Sequence, residues 1–329
     1  MVSSQPIKTA TDKPPGMLVD IGGFRLHLYC AGPVDTTDDV MTDRSIDNQF
    51  RLPTLVIEAG CGWHSAMYIR LQERLSQSLR VCSYDRAGLG WSDESHQPRD
   101  AKTIAMHLHR LLIKAGIDGP LVFIGHSIAG LYLRVFANYY PDRIVGVVLL
   151  DASHPDQYDL LTLKEYSLGK RLLNILVGIC AWTGLTRYYN PLLNVEGGTY
   201  HYLPASAKAQ LIALSHRRQT YFTPIKESDA FSRSADQALE ADSFRDLPLL
   251  LLTGLDRSGV PFRSERERVR YTKDWLSLQL DLLEISRNSQ HKIIDGASHS
   301  TLITQREYSE QVVTEILQFV ANNAKTTNC

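Results

Sequence analysis

One serine, one histidine and one carboxylate, far apart in this chain, have the residue types and settings to activate a hydroxyl for attack on a carbonyl. Ser127 lies in LVFIGHSIAG, residues 121–130. An apolar run ends at Gly125, small residues follow at Ala129 and Gly130, and Leu131, Leu133, Val135, Phe136 and Tyr139 then take helical spacing. A strand thus turns sharply into a helix, and the serine at the corner keeps its oxygen exposed. Serine attacks only when a base removes its proton. Among 11 histidines, His299 has the fitting position, in the loop DGASHS (295–300) after the last apolar strand, because loops at strand C-termini face the crevice of open α/β sheets. A carboxylate would hold that histidine. Asp256, shortly after LPLLLLTG, gives the chain order Ser, Asp, His and is the expected partner. Asp151, directly after VGVVLL, is the alternative; otherwise it serves as a hydrogen-bonding post for the segment that follows.

The attacked carbonyl gains negative charge and needs amide donors already aimed at it. The N–H of Ile128, at the start of the helix, is one candidate. The second should come from the loop after TLVIE (54–58), where Gly60 and Gly62 permit an unusual backbone. Cys61 is the expected donor and Gly62 the near alternative. Gly62, Trp63 and His126 are candidates for lining the substrate pocket.

The elements that must position these residues alternate. A β-hairpin is expected around Gly22-Gly23. Strands are expected at 54–58, 80–85, 121–125, 144–150, 247–253 and 292–294, and helices near 66–77, 103–115, 265–283 and 307–322. Strands that are apolar throughout belong to a parallel sheet covered on both faces. The alternation stops between 152 and 245, so the expected organisation is a core over 1–151, a helical insert over 152–245 and the rest of the core over 246–329. Residues 1–16 are expected to form a loose arm, and 33–53 a surface loop. The apolar stretch 172–182 is expected to be the buried face of an insert helix, a surface for a greasy substrate or membrane being the alternative.

Composition narrows the function. The chain has 329 residues, with 35 Lys plus Arg against 36 Asp plus Glu, a balance that gives no support for a nucleic-acid partner. Five scattered cysteines without a CxxC pair are expected to be reduced, mostly buried thiols. No apolar run has the length of a membrane span, and the N-terminus lacks a signal core, so a cytoplasmic protein is expected. Gly88-Leu89-Gly90 lacks the third glycine of a dinucleotide fingerprint. His107 and His109, two apart on a helix, do not share a face for a metal. Neither cofactor nor metal is expected.

The combination VIEAGCG, VCSYDRAGLGWSD, GHSIAGLYLRVFA, VVLLDASHPDQ and the late WLSLQLDLLEISRNSQHKII followed by GASH resembles the α/β-hydrolase superfamily, and within it bacterial serine hydrolases of the esterase type. The resemblance implies an α/β fold with a mostly parallel sheet of about eight strands and a helical cap inserted after the sixth. It implies Ser127 as nucleophile, His299 as base and Asp256 as acid, and a more structural than catalytic part for Asp85 and Arg86. Two positions depart from the family pattern. Ala129 replaces the second glycine of the elbow, so the helix is expected to pack slightly looser or shifted on the strand. Glu58 replaces a histidine under the oxyanion loop, whose wiring it leaves open.

The expected function is therefore a cofactor-free carboxylesterase-type hydrolase working through an acyl-enzyme, on a small ester with an apolar acyl or aromatic group, as a monomer or homodimer. The same triad could cleave a thioester, lactone, amide or C–C bond, and the scaffold could serve a lyase, a cofactor-less oxygenase or a ligand-binding protein. Ser127 argues against the epoxide and haloalkane hydrolases of this fold, which use an aspartate nucleophile.

Overall fold

A computed structural model describes residues 13–34, 52–161, 168–187, 199–241, 244–260 and 262–326. Most of the expected arm and of the loop over 33–53 lies outside these residues. Eight strands form one sheet: β1 (Met17–Asp20), β2 (Arg25–Ala31), β3 (Thr54–Glu58), β4 (Val81–Tyr84), β5 (Leu121–His126), β6 (Ile144–Leu150), β7 (Leu249–Thr253) and β8 (Ser289–Ile293). Their spatial order is β1-β2-β4-β3-β5-β6-β7-β8. Only β2 is antiparallel to its neighbours; every other pair is parallel.

Alternate residues of the central strands feed two cores. On β5, Leu121 and Phe123 join the cluster with Leu149 and helices α2 (Ala101–Lys114) and α3 (Ala129–Tyr139). Val122 and Ile124 join the opposite cluster, with Val148, α1 (Ile69–Leu75) and the C-terminal helix. Burial on both faces is why these strands read as continuous apolar runs. Local chemistry sets the start of α2. Asp100 caps α2 by accepting the Thr103 N–H at 3.0 Å, which is stabilising because the first turn's amides have no intrahelical partner.

Between β6 and β7 the described residues form no further strand of the sheet but six α-helices: α4 (Gln157–Leu160), α5 (Leu168–Trp182), α6 (Thr199–Tyr202), α7 (Ala205–Leu214), α8 (Gln219–Asp229) and α9 (Phe231–Glu240). Then follow α10 (Glu265–Asp281), α11 (Thr301–Thr304) and α12 (Arg306–Thr326). No helix among the described residues is long and apolar enough to cross a membrane.

Two expectations are corrected here. The stretch 172–182 is not a buried face. Leu172, Leu176, Ile179 and Trp182 of α5 are exposed, Trp182 to 71%. The face that packs on α8 is instead made of small residues: Val177 and Ala181 meet Tyr221, and a Cβ on Gly178 would stand 2.9 Å from the Phe222 ring. Second, Cys30 and Cys82 are not free thiols but a disulfide. They sit opposite one another on the antiparallel pair β2 and β4, where side chains of directly paired residues lie side by side.

Candidate active site

Ser127 is the residue after β5, and its φ of +57° lies in the left-handed region. A side chain there costs about 1–3 kcal/mol and persists only where the surroundings enforce it. Here they do. The Ser127 N–H donates to the Leu150 carbonyl at 3.1 Å, and its own carbonyl accepts from Gly130 at 3.0 Å and from Ser153 at 2.8 Å. The end of β6 thus clamps the turn on both sides. A Cβ on Gly125 would lie 3.4 Å from the Ala129 Cβ but only 2.5 Å from the Leu133 side chain. A second close approach involves Gly130, where a Cβ would come within 2.9 Å of the Ala152 Cβ.

His299 follows β8, and its Nδ1 meets Asp151 Oδ2 at 2.7 Å. This corrects the expected partner. Asp256 borders the same loop through its backbone N–H, which donates to the Ala297 carbonyl at 2.8 Å. Its carboxylate turns the other way and accepts from the Ser258 N–H at 2.8 Å and the Ser258 hydroxyl at 3.0 Å. Asp256 therefore closes a local turn. Asp151, at the end of the strand beside β5 and with φ +44°, points inward and is fully buried. Trp275 Nε1 donates to its Oδ1 at 2.9 Å, and Arg257 approaches Oδ2 at 3.4 Å. Burial opposes the charge on Asp151, but Arg257 and the hydrogen bonds from His299 and Trp275 outweigh it and hold the carboxyl below its ordinary range. The Trp275 ring also meets the His299 ring edge-on, at 6.3 Å between centroids.

His126 is buried under the site, its ring 4.5 Å from that of His299. Its Nε2 faces the His299 carbonyl at 3.1 Å and its Nδ1 faces the Tyr68 hydroxyl at 2.9 Å. That hydroxyl accepts the Gly60 N–H at 2.8 Å. A carbonyl can only accept, so Nε2 carries the proton and Nδ1 accepts from Tyr68. Burial, with a contribution from His299, keeps the His126 ring neutral by pushing its pKa well below the usual histidine value. The chain Gly60, Tyr68, His126, His299 links the loop after β3 to the loop after β8. Gly60 itself must be glycine, because a Cβ there would lie 2.8 Å from His126 Nδ1.

The loop after β3 rests on buried charge. Arg86 donates to Glu58 at 2.7 Å and to the carbonyls of Ala59 and Gly60 at 2.6 and 2.7 Å. Glu58 also accepts from the Tyr84 hydroxyl, which supplies the wiring at the position where the family pattern has histidine. Gly62, the alternative oxyanion donor, is otherwise engaged: its N–H donates to Glu227 Oε2 at 2.9 Å. The Gly60 amide is engaged by Tyr68, so Cys61 lies between two fixed amides. Ile128 precedes the first residue of α3, so no intrahelical carbonyl is in position to accept its N–H. Trp63 is half-buried, its ring 5.0 Å from His126. Among the described residues no group of three His, Cys, Asp or Glu side chains could hold a metal ion.

Sequence reasoning missed Trp275, Arg257, Tyr68 and Glu227. Arg257 stands next to the favoured Asp256 and Trp275 opens the late run of the family resemblance, but neither shows its partner in one dimension.

Comparison with known proteins agrees with this architecture. A family profile described as alpha/beta hydrolase fold matches residues 53–172. An AB hydrolase superfamily protein of Gibberella zeae is 26% identical over 322 residues, covering 90% of this chain and 92% of that protein. Other curated relatives match only in part, and the chain spans between 20% and 41% of their length. Among solved structures, the epoxide hydrolase CorEH is similar with a TM-score of 0.60 at 15% identity, over 93% of this chain and 98% of that one. A thermophilic esterase from Thermogutta terrifontis is similar with a TM-score of 0.54 at 21% identity, over 96% and 99%. The chain has the α/β-hydrolase fold.

Proposed function

We propose that this α/β-hydrolase-fold chain is a serine hydrolase that cleaves a carboxylic ester through an acyl-enzyme. The observation that carries the proposal is the buried Asp151 on His299 Nδ1, beside a serine held at φ +57°. An aspartate so placed fixes the imidazole with Nδ1–H toward the carboxylate and leaves Nε2 to act as base. In the proposed cycle His299 takes the Ser127 proton as Oγ attacks the carbonyl carbon. The N–H groups of Ile128 and Cys61 receive the developing oxyanion. Collapse of the tetrahedral species breaks the ester C–O bond, and the alcohol leaves with the proton from His299. Water, deprotonated by the same histidine, then attacks the acyl-enzyme, releases the acid and restores Ser127. Asp151 stays ionised throughout. Residues 152–245 act as the cap over this site, and Trp63 beside the oxyanion loop favours an apolar acyl or aromatic group.

The test is turnover of p-nitrophenyl esters from short to long chain by the wild type and by Ser127→Ala. Hydrolysis by the wild type should fall by about 10^4-fold or more in the variant. A Ser127→Ala protein that retains the wild-type rate removes the serine mechanism.

A further inference from the structure

Glu227 belongs to α8 of the helical insert, yet it is fully buried and every contact it makes points into the core. Oε1 accepts from Arg86 Nε at 2.8 Å and from Arg99 at 2.7 Å. Oε2 accepts from the second Arg86 nitrogen at 2.9 Å and from the Gly62 N–H at 2.9 Å. A carboxylate offers about four acceptor positions, and all four are used. The two guanidiniums and the amide overcome burial and hold the Glu227 carboxyl down at about 2. α8 is seated closely on the same loops: a Cβ on Gly62 would lie 2.8 Å from the Pro224 ring, and Thr223 donates to the Gly88 carbonyl at 3.0 Å.

We infer that Glu227 is a positioning residue through which the insert completes the oxyanion loop. This rests on the serine hydrolase proposal. Arg86 holds the loop at the carbonyls of Ala59 and Gly60, and Glu227 holds it at the amide of Gly62, so the peptide that carries the Cys61 N–H is fixed from both sides. The second hold comes from α8. An oxyanion donor has its effect only when aimed beforehand at the place where charge develops, so the site is complete only with α8 seated. A charged residue is required, because without it the buried Arg99 guanidinium would lose its carboxylate and Arg86 would keep Glu58 alone.

Glu227→Gln keeps one acceptor oxygen but turns an NH2 group toward the guanidiniums. It should lower kcat by about 10–100-fold with KM within about threefold, and should speed hydrogen exchange at the amides of residues 60–63. Arg99→Gln, which loosens Glu227 without touching the loop, should give the same pattern with a loss of about 3–10-fold, and carries the test if the first variant does not fold. Unchanged exchange at Gly62, or a loss confined to KM, overturns the inference. Labelling of Ser127 by a fluorophosphonate separates the two proposals. A wild type that neither labels nor turns over esters sinks the hydrolase proposal, while exchange at Gly62 still decides whether Glu227 holds the loop.

Discussion

Asp151 and Asp256 follow neighbouring apolar strands, β6 and β7, and both lie near the loop that carries His299. One is buried with His299, Trp275 and Arg257 on its oxygens. The other folds back on Ser258, two residues away. A carboxylate at the end of a parallel strand is thus only a candidate. What separates the two is the backbone: φ of +44° at Asp151 turns its side chain from the line of the strand toward the crevice, and the aromatic and guanidinium groups around it repay the loss of water.

The largest test of this contrast is Asp151→Asn, which should reduce kcat by about 10^4-fold through loss of the correct imidazole tautomer. Next is Trp275→Phe. It removes one hydrogen bond to the carboxylate, of the kind worth about 1.5–3 kcal/mol, and should cost about 10–100-fold in kcat/KM. An unchanged rate would mean that His299 and Arg257 alone hold Asp151. Stability should follow with a definite sign. Asp151 is held below its ordinary 3.8, so its contribution is complete above that pH and is lost as pH falls, because the unfolded chain binds the proton first. The urea-unfolding gap between wild type and Asp151→Asn should therefore narrow below about pH 4. A gap constant from about pH 3 to 6 would count against the assigned environment. Asp256→Asn should be the mildest change, within about twofold in kcat. A collapse of activity there, with Asp151→Asn active, would reverse the contrast.

Much of the scaffold was legible because burial on both faces leaves an unmistakable mark: runs such as TLVIE and IVGVVLL can be little else than central parallel strands. The elbow was legible too, since small residues crowd only where strand and helix cross closely. The choice of carboxylate was not. Chain order places both aspartates between Ser127 and His299 and so discriminates nothing, and a positive φ at a non-glycine residue leaves no trace in sequence. Helix α5 misled for a related reason. Its large apolar residues face outward while Val177, Gly178 and Ala181 meet Tyr221 and Phe222, so hydrophobicity by itself pointed to the wrong side. The pairing of Cys30 with Cys82, 52 residues apart, needed the register of β2 on β4 before it could be seen.

The run from the Gly60 amide through Tyr68 and His126 to the His299 carbonyl has a mechanical meaning. In the proposed mechanism, the loop beside the developing negative charge and the loop that bears the proton acceptor hang from one neutral imidazole. Their separation is set by two rigid aromatic side chains, not by the stiffness of either loop. A displacement of one loop is therefore expected to be shared by the other, so that their relative distance should fluctuate less than either loop does alone.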